Sequence, residues 1–190
     1  PSAFGAVTVS LRPVHRARRF GRSLVARAPS PADTDWAHGW LSVEERRLFD
    51  RMPAVDRTHS IGVARGVAAN LGRLGLTADE PDAGWIMTAA LTHDVGKSVA
   101  GLGTYGRVVA TLSESVGGTS MAKVWAQRRG MTRKVGLYLQ YPQLGADLLA
   151  VAGADDRVVA WAAQHHEPEG SWTVPVDAGR LLVAADDEEL

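Results

Sequence analysis

No stretch of this 190-residue chain alternates polar and apolar residues for long enough to supply a sheet. Its apolar residues instead recur at three- and four-residue spacing. Ile61, Val63, Ala64, Val67, Ala68 and Leu71 form one such series. Others run through Trp85–Leu91, Val135–Ala152, Asp155–His165 and Val176–Leu190. That period places apolar side chains on one face of a helix and forbids a half-buried strand. The expectation is an all-α bundle without internal repeats.

Punctuation sets the boundaries. Ser42 followed three residues later by Glu45 forms a capping-box pattern, predicting a helix from there to about Met52. Pro53 permits a new start, and 56–74 reads as a second helix, weakened locally by Gly62, Gly66 and Gly72. Gly75 and Pro81 separate it from a third helix that begins at Asp82. The glycine-rich stretch 101–118 reads as short helices with a mobile connection near 117–120, and 101–120 as a candidate lid over the site. Residues 167–175 read as a loop. The 45% hydrophobic content suffices for one sizeable core, and the length fits a single domain.

The formal net charge is zero, but it is unevenly spread. Residues 1–30 carry six arginines (Arg12, Arg16, Arg18, Arg19, Arg22 and Arg27) and no acid. The region 1–40 is expected to be a basic, weakly ordered arm, with 14–27 able to form a short helix before Pro29 and Pro31 break it. The domain proper is expected over 41–190. An arm with six arginines and hardly an aromatic among them reads as solvated tail, so nucleic acid is not an expected partner. The chain has no cysteine, which excludes disulfides and thiolate metal sites and fits a reducing, cytoplasmic setting. No apolar run approaches the roughly 20 residues that span a bilayer, so a membrane is not expected either.

The chemistry concentrates at His93-Asp94-Val95-Gly96-Lys97, which closes the apolar run Trp85–Leu91. With 6 His and 13 Asp in the chain, chance alone supplies about 0.4 His-Asp pairs, so the dipeptide says little by itself. Its surroundings say more. His59 lies on a separate helical pattern upstream, and Asp186 closes a third, Leu181–Ala185, far downstream; Asp187 competes with it for the same role. Side chains from several facing helices are what a metal site inside a bundle needs. Two neutral imidazoles and two carboxylates suit Mn, Fe, Co, Ni or Zn, with Mg possible, better than Ca. A divalent ion held by His59, His93, Asp94 and Asp186 keeps positions open for water and a phosphate oxygen. Lys97, one helical turn beyond the pair, and Arg57, two residues before His59, are candidate phosphate contacts.

These residues, in this order, resemble the HD-domain phosphohydrolase superfamily over roughly 53–190. The resemblance is carried by Asp56-Arg57-Thr58-His59-Ser60, Leu91-Thr92-His93-Asp94-Val95-Gly96-Lys97, Tyr141-Pro142-Gln143-Leu144-Gly145, Gln164-His165-His166-Glu167 and Ala185-Asp186. It implies a helical bundle in which His59, His93, Asp94 and Asp186 bind the metal and Asp94 also orients the attacking water. The implied activity is hydrolysis of a phosphomonoester or phosphoanhydride, with a nucleotide as the expected substrate. In binuclear relatives, such as the HD-GYP cyclic-dinucleotide phosphodiesterases, further histidines hold a second ion. Here Tyr141 stands where those relatives have a histidine, and Pro168-Glu169-Gly170-Ser171-Trp172 replaces the Gly-Tyr-Pro signature. The resemblance therefore implies one ion, with His165 and His166 contacting substrate, leaving group or the ligands from outside. The alternative is a catalytically degenerate HD domain that binds a nucleotide or a partner protein.

Overall fold

The computed structural model describes residues 28–100 and 122–189. The arginines of the arm, its short basic helix and the glycine-rich 101–121 lie outside the described residues. Among the described residues there is no strand, and the architecture is all-α. The helices are α1 (Pro31–His38), α2 (Val43–Arg51), α3 (Ala54–Asn70), α4 (Pro81–Thr92), α5 (Lys97–Ala100), α6 (Ala122–Ala126), α7 (Gly130–Leu139), α8 (Tyr141–Val151), α9 (Asp156–Gln164) and α10 (Val176–Glu188). A 3-10 turn, Leu71–Leu74, extends α3, and another, Glu169–Ser171, sits in the loop before α10.

The bundle is organised around α4. From Trp85 to Thr92 every one of its residues is buried, as expected of a helix apolar on all sides. Its neighbours are α3, α9, α2 and α10. Phe49, Val63, Val67, Leu149, Val158 and Leu182 complete the core around it. Buried polar groups on α4 are satisfied locally: Thr88 Oγ1 donates to the Trp40 carbonyl at 3.0 Å and Thr92 Oγ1 to the Thr88 carbonyl at 2.7 Å. The C-terminus of α4 thus delivers His93 and Asp94 to the middle of the molecule.

The capping box is formed as the sequence predicts. Ser42 Oγ accepts from Glu45 N at 3.3 Å, and Glu45 Oε2 accepts from Ser42 N at 2.7 Å. Ser42→Ala is expected to cost about 1 kcal/mol, read as a lower urea midpoint with an unchanged slope. An unchanged midpoint would show that the cap contributes nothing.

Two expectations need correction. The helical body begins at Ser30 and not at Leu41. Pro31 occupies the first turn of α1, where a missing N–H costs nothing, and Ser30 Oγ accepts from Asp33 N at 3.1 Å. Ala37 is fully buried, Asp33 pairs with Arg65 of α3, and that guanidinium lies 4.5 Å over the Trp36 ring. The apolar run over 135–152 is likewise two helices. Gln140, at φ −105° and ψ 9°, ends α7, and Pro142 sits in the first turn of α8.

Candidate metal centre

Three of the four expected ligands meet. His59 on α3, His93 at the C-cap of α4 and Asp186 on α10 each present one ligand atom, and these atoms all lie within 4.8 Å of one another. His59 Nε2 is 2.8 Å from Asp186 Oδ1. Close helix packing makes this possible. Gly66 of α3 faces Ala185 of α10, where an added Cβ would stand 3.3 Å from the alanine methyl. Asp187 is exposed, which decides the competition for the carboxylate position in favour of Asp186.

The protonation of His93 follows from its partners. Its Nδ1 is 3.0 Å from the Ala90 carbonyl, and a carbonyl only accepts, so Nδ1 carries the hydrogen. Nε2 therefore presents a lone pair. That nitrogen is buried, with no hydrogen-bond partner among the described residues. A buried imidazole lone pair beside a second imidazole and a carboxylate is a donor set that suits a divalent cation. The residues present thus fit a divalent ion bound by His59, His93 and Asp186.

Asp94 stands beside this group and not within it. It is 1% exposed, its Oδ2 lies 3.6 Å from His93 Nε2, and the same oxygen accepts from Lys97 Nζ. Its Oδ1 is 4.0 Å from His165 Nε2. Lys97 is not a solvated lysine beyond a helix end: it is 7% exposed, and Nζ also lies 4.8 Å over the Tyr141 ring. A buried cation is thereby fixed between a carboxylate and an aromatic face. Arg57 is placed elsewhere. Its Nη1 donates to the Asp50 carbonyl at 2.8 Å, tying α3 to α2.

His165 and His166 end the helical hairpin of α8 and α9. His165 Nδ1 is 3.0 Å from the Ala162 carbonyl, so its Nε2 accepts. The Tyr141 hydroxyl lies 3.3 Å from that nitrogen and also contacts His166 Nε2. A phenol has one hydrogen. Donating it to His165 while the exposed His166 donates to the phenol oxygen satisfies both contacts at once. Tyr141, standing where the binuclear relatives have a histidine, is thus the junction between a buried and an exposed imidazole. Its spacing from the histidine pair, across two helices joined by a tight turn at Gly153, is the signal that could have shown this. A small pocket lined by Val63, Ala90, His93, Trp161, His165, Leu182, Val183 and Asp186 adjoins the cluster.

Burial pushes the His93 and His165 imidazoles below their ordinary 6.5, His165 well below, where the neighbouring His166 and His93 add to the effect. Between the native and ordinary values the unfolded chain binds protons that the native imidazoles refuse, so stability rises with pH there. Metal-free protein is expected to be most stable above about pH 6.5 and to weaken progressively below it. Urea midpoints at pH 7.5 and 5.5 check this; equal midpoints would overturn it.

Compared with protein-family models, with curated proteins and with solved structures, the chain matches none of them. No helix among the described residues is long and apolar enough to cross a membrane.

Proposed function

We propose that this protein is a metal-dependent phosphohydrolase of the HD type, acting on a phosphomonoester or phosphoanhydride, with a nucleotide as the expected substrate. The observation that carries the reading is the buried Nε2 lone pair of His93 facing His59 Nε2 and Asp186 Oδ1 within 4.8 Å. A divalent ion held there supplies Lewis acidity toward a phosphoryl oxygen and acidifies a water.

The chain's own groups divide the remaining work. Asp94, buried next to His93, orients the water that attacks phosphorus and receives its proton on Oδ1. Lys97, held on Asp94 and over Tyr141, places a fixed positive charge where phosphoryl oxygens gain negative charge. As the bond from phosphorus to the leaving oxygen breaks, that oxygen takes the Tyr141 hydroxyl proton. His166, already donating to the phenol oxygen, replaces it from solvent.

The test is metal binding and phosphate release by the intact chain. Dialysed against Mn²⁺ or Zn²⁺, the protein is expected to retain about one equivalent, the stoichiometry of a single three-ligand site. It should release phosphate from some member of a nucleotide panel in a chelator-sensitive way. No retained ion would end the reading. An ion retained with nucleotide bound and never cleaved would favour the degenerate binding domain.

A further inference from the structure

The acids of this chain avoid one surface. From residue 115 to 146 there is no Asp or Glu, yet Lys123, Arg128, Arg129, Arg133 and Lys134 all fall in that interval. All five are exposed on α6, α7 and the turn between them. Outside 1–30 and 115–146 the chain carries 10 basic against 21 acidic side chains. The segment of α6, α7 and the turn between them is therefore strongly basic in an otherwise acidic chain.

The local structure makes the concentration costly. Arg129 is the N-cap of α7, the cap makes no side-chain hydrogen bond, and the first turn contains no acid. Cations at that end oppose the helix dipole and its unsatisfied N–H groups. Gly130, at φ +66° with nothing within 4 Å of its missing Cβ, keeps the turn open. An anion along this face would relieve both the dipole and the mutual repulsion of the cations.

The face also adjoins the candidate site. α7 packs on α5, which begins at Lys97. Tyr138 of α7 lies 5.6 Å from Tyr141, whose ring carries Lys97 at 4.8 Å. Trp125 and Tyr138 are half-buried on the same helices, offering ring faces beside the cations.

We propose that α6 and α7 form a docking surface for single-stranded nucleic acid, its phosphates on Lys123, Arg128, Arg129 and Arg133 and bases stacked on Trp125 and Tyr138. Cations following a backbone, with aromatic faces interleaved, are the two elements that sequence-tolerant strand binding requires. An anionic membrane fits less well. Val124 and Met131 are the large apolar residues most exposed there, too few to bury a helix face in lipid.

The experiment is fluorescence anisotropy of a labelled oligothymidylate with the full chain in EDTA, so that binding is read without hydrolysis. Wild type is expected to bind, with log affinity falling against log salt at a slope of about −2 to −3, as three or four phosphate contacts on a single strand give. R128E/R129E/R133E should weaken binding roughly tenfold or more at low salt and flatten the slope. The basic arm is present in both proteins and cancels in the comparison. R128Q/R129Q/R133Q, with thermal melts of both variants, guards against a folding defect and should show a smaller loss. Equal affinity of wild type and variants would overturn the proposal, as would binding of inorganic polyphosphate or anionic vesicles without oligonucleotide. Failure of metal-dependent phosphate release with oligonucleotide binding intact would sink the hydrolase reading alone.

Discussion

On the proposed reading, His93→Ala is expected to abolish retention of a divalent ion and to lower chelator-sensitive phosphate release on the order of 10³-fold or more, since loss of a mere supporting partner already costs 10–100-fold. His93 sits at the centre of the arrangement. Its Nδ1–H is committed to the Ala90 carbonyl, which fixes the ring, and Nε2 points its lone pair at the cluster. Without it, His59 and Asp186 alone face the ion, and two ligands do not hold a divalent cation against water. Removing a 3% exposed ring also leaves a cavity. Metal analysis therefore has to accompany a urea midpoint measured without metal, so that lost binding is not confused with lost folding. A folded variant that keeps one equivalent of metal would remove His93 from the ligand set.

Gly96→Ala is expected to cost about 3 kcal/mol or more, at the upper end of overpacking penalties, and to lower Tm by about 6–12 °C for a chain of this size. A Cβ at 96 would stand 1.9 Å from the Tyr141 carbonyl oxygen and 2.7 Å from Gly145 N. Both obstacles are backbone atoms in the first turn of α8, so no side chain can turn away to make room. Relief requires α8 to move, and with it the Tyr141 hydroxyl that links His165 to His166. Gly72→Ala is the control, since nothing lies within 4 Å of its missing Cβ. Equal melting points for the Gly96 and Gly72 variants would show that the strand of backbone between α4 and α5 tolerates displacement.

The helices were legible because their signals are local. The Ser42-Glu45 box, the apolar run Trp85–Leu91 and the proline at each of several starts act within one or two turns of chain. The same local reasoning misplaced the beginning of the body, because Pro31 breaks a helix or opens one depending on what precedes it. It also joined α7 to α8 across Gln140. Of the site, the residue types and their order pointed to His59, His93 and Asp186 meeting. The placement of Asp94 outside that group, against Lys97, depends on the path of the chain after the C-cap of α4, which no spacing encodes. The Tyr141 junction depends on how two helices lie side by side. Arg57 shows the converse: two residues from His59 in sequence, it is drawn to a carbonyl of α2 by a neighbour that periodicity does not reveal.

The ligand atoms also emerge from the ribosome at very different times. His59 and His93 belong to helices that pack directly on each other, while Asp186 follows His59 by roughly 130 residues and reaches it through the docking of α10 on α3. Closing so long a loop carries an entropic cost that the α10 packing must meet first. A nascent chain with α3 and α4 in place thus owns two imidazoles and no carboxylate from α10. The three candidate ligand atoms come together only once α10 has docked on α3.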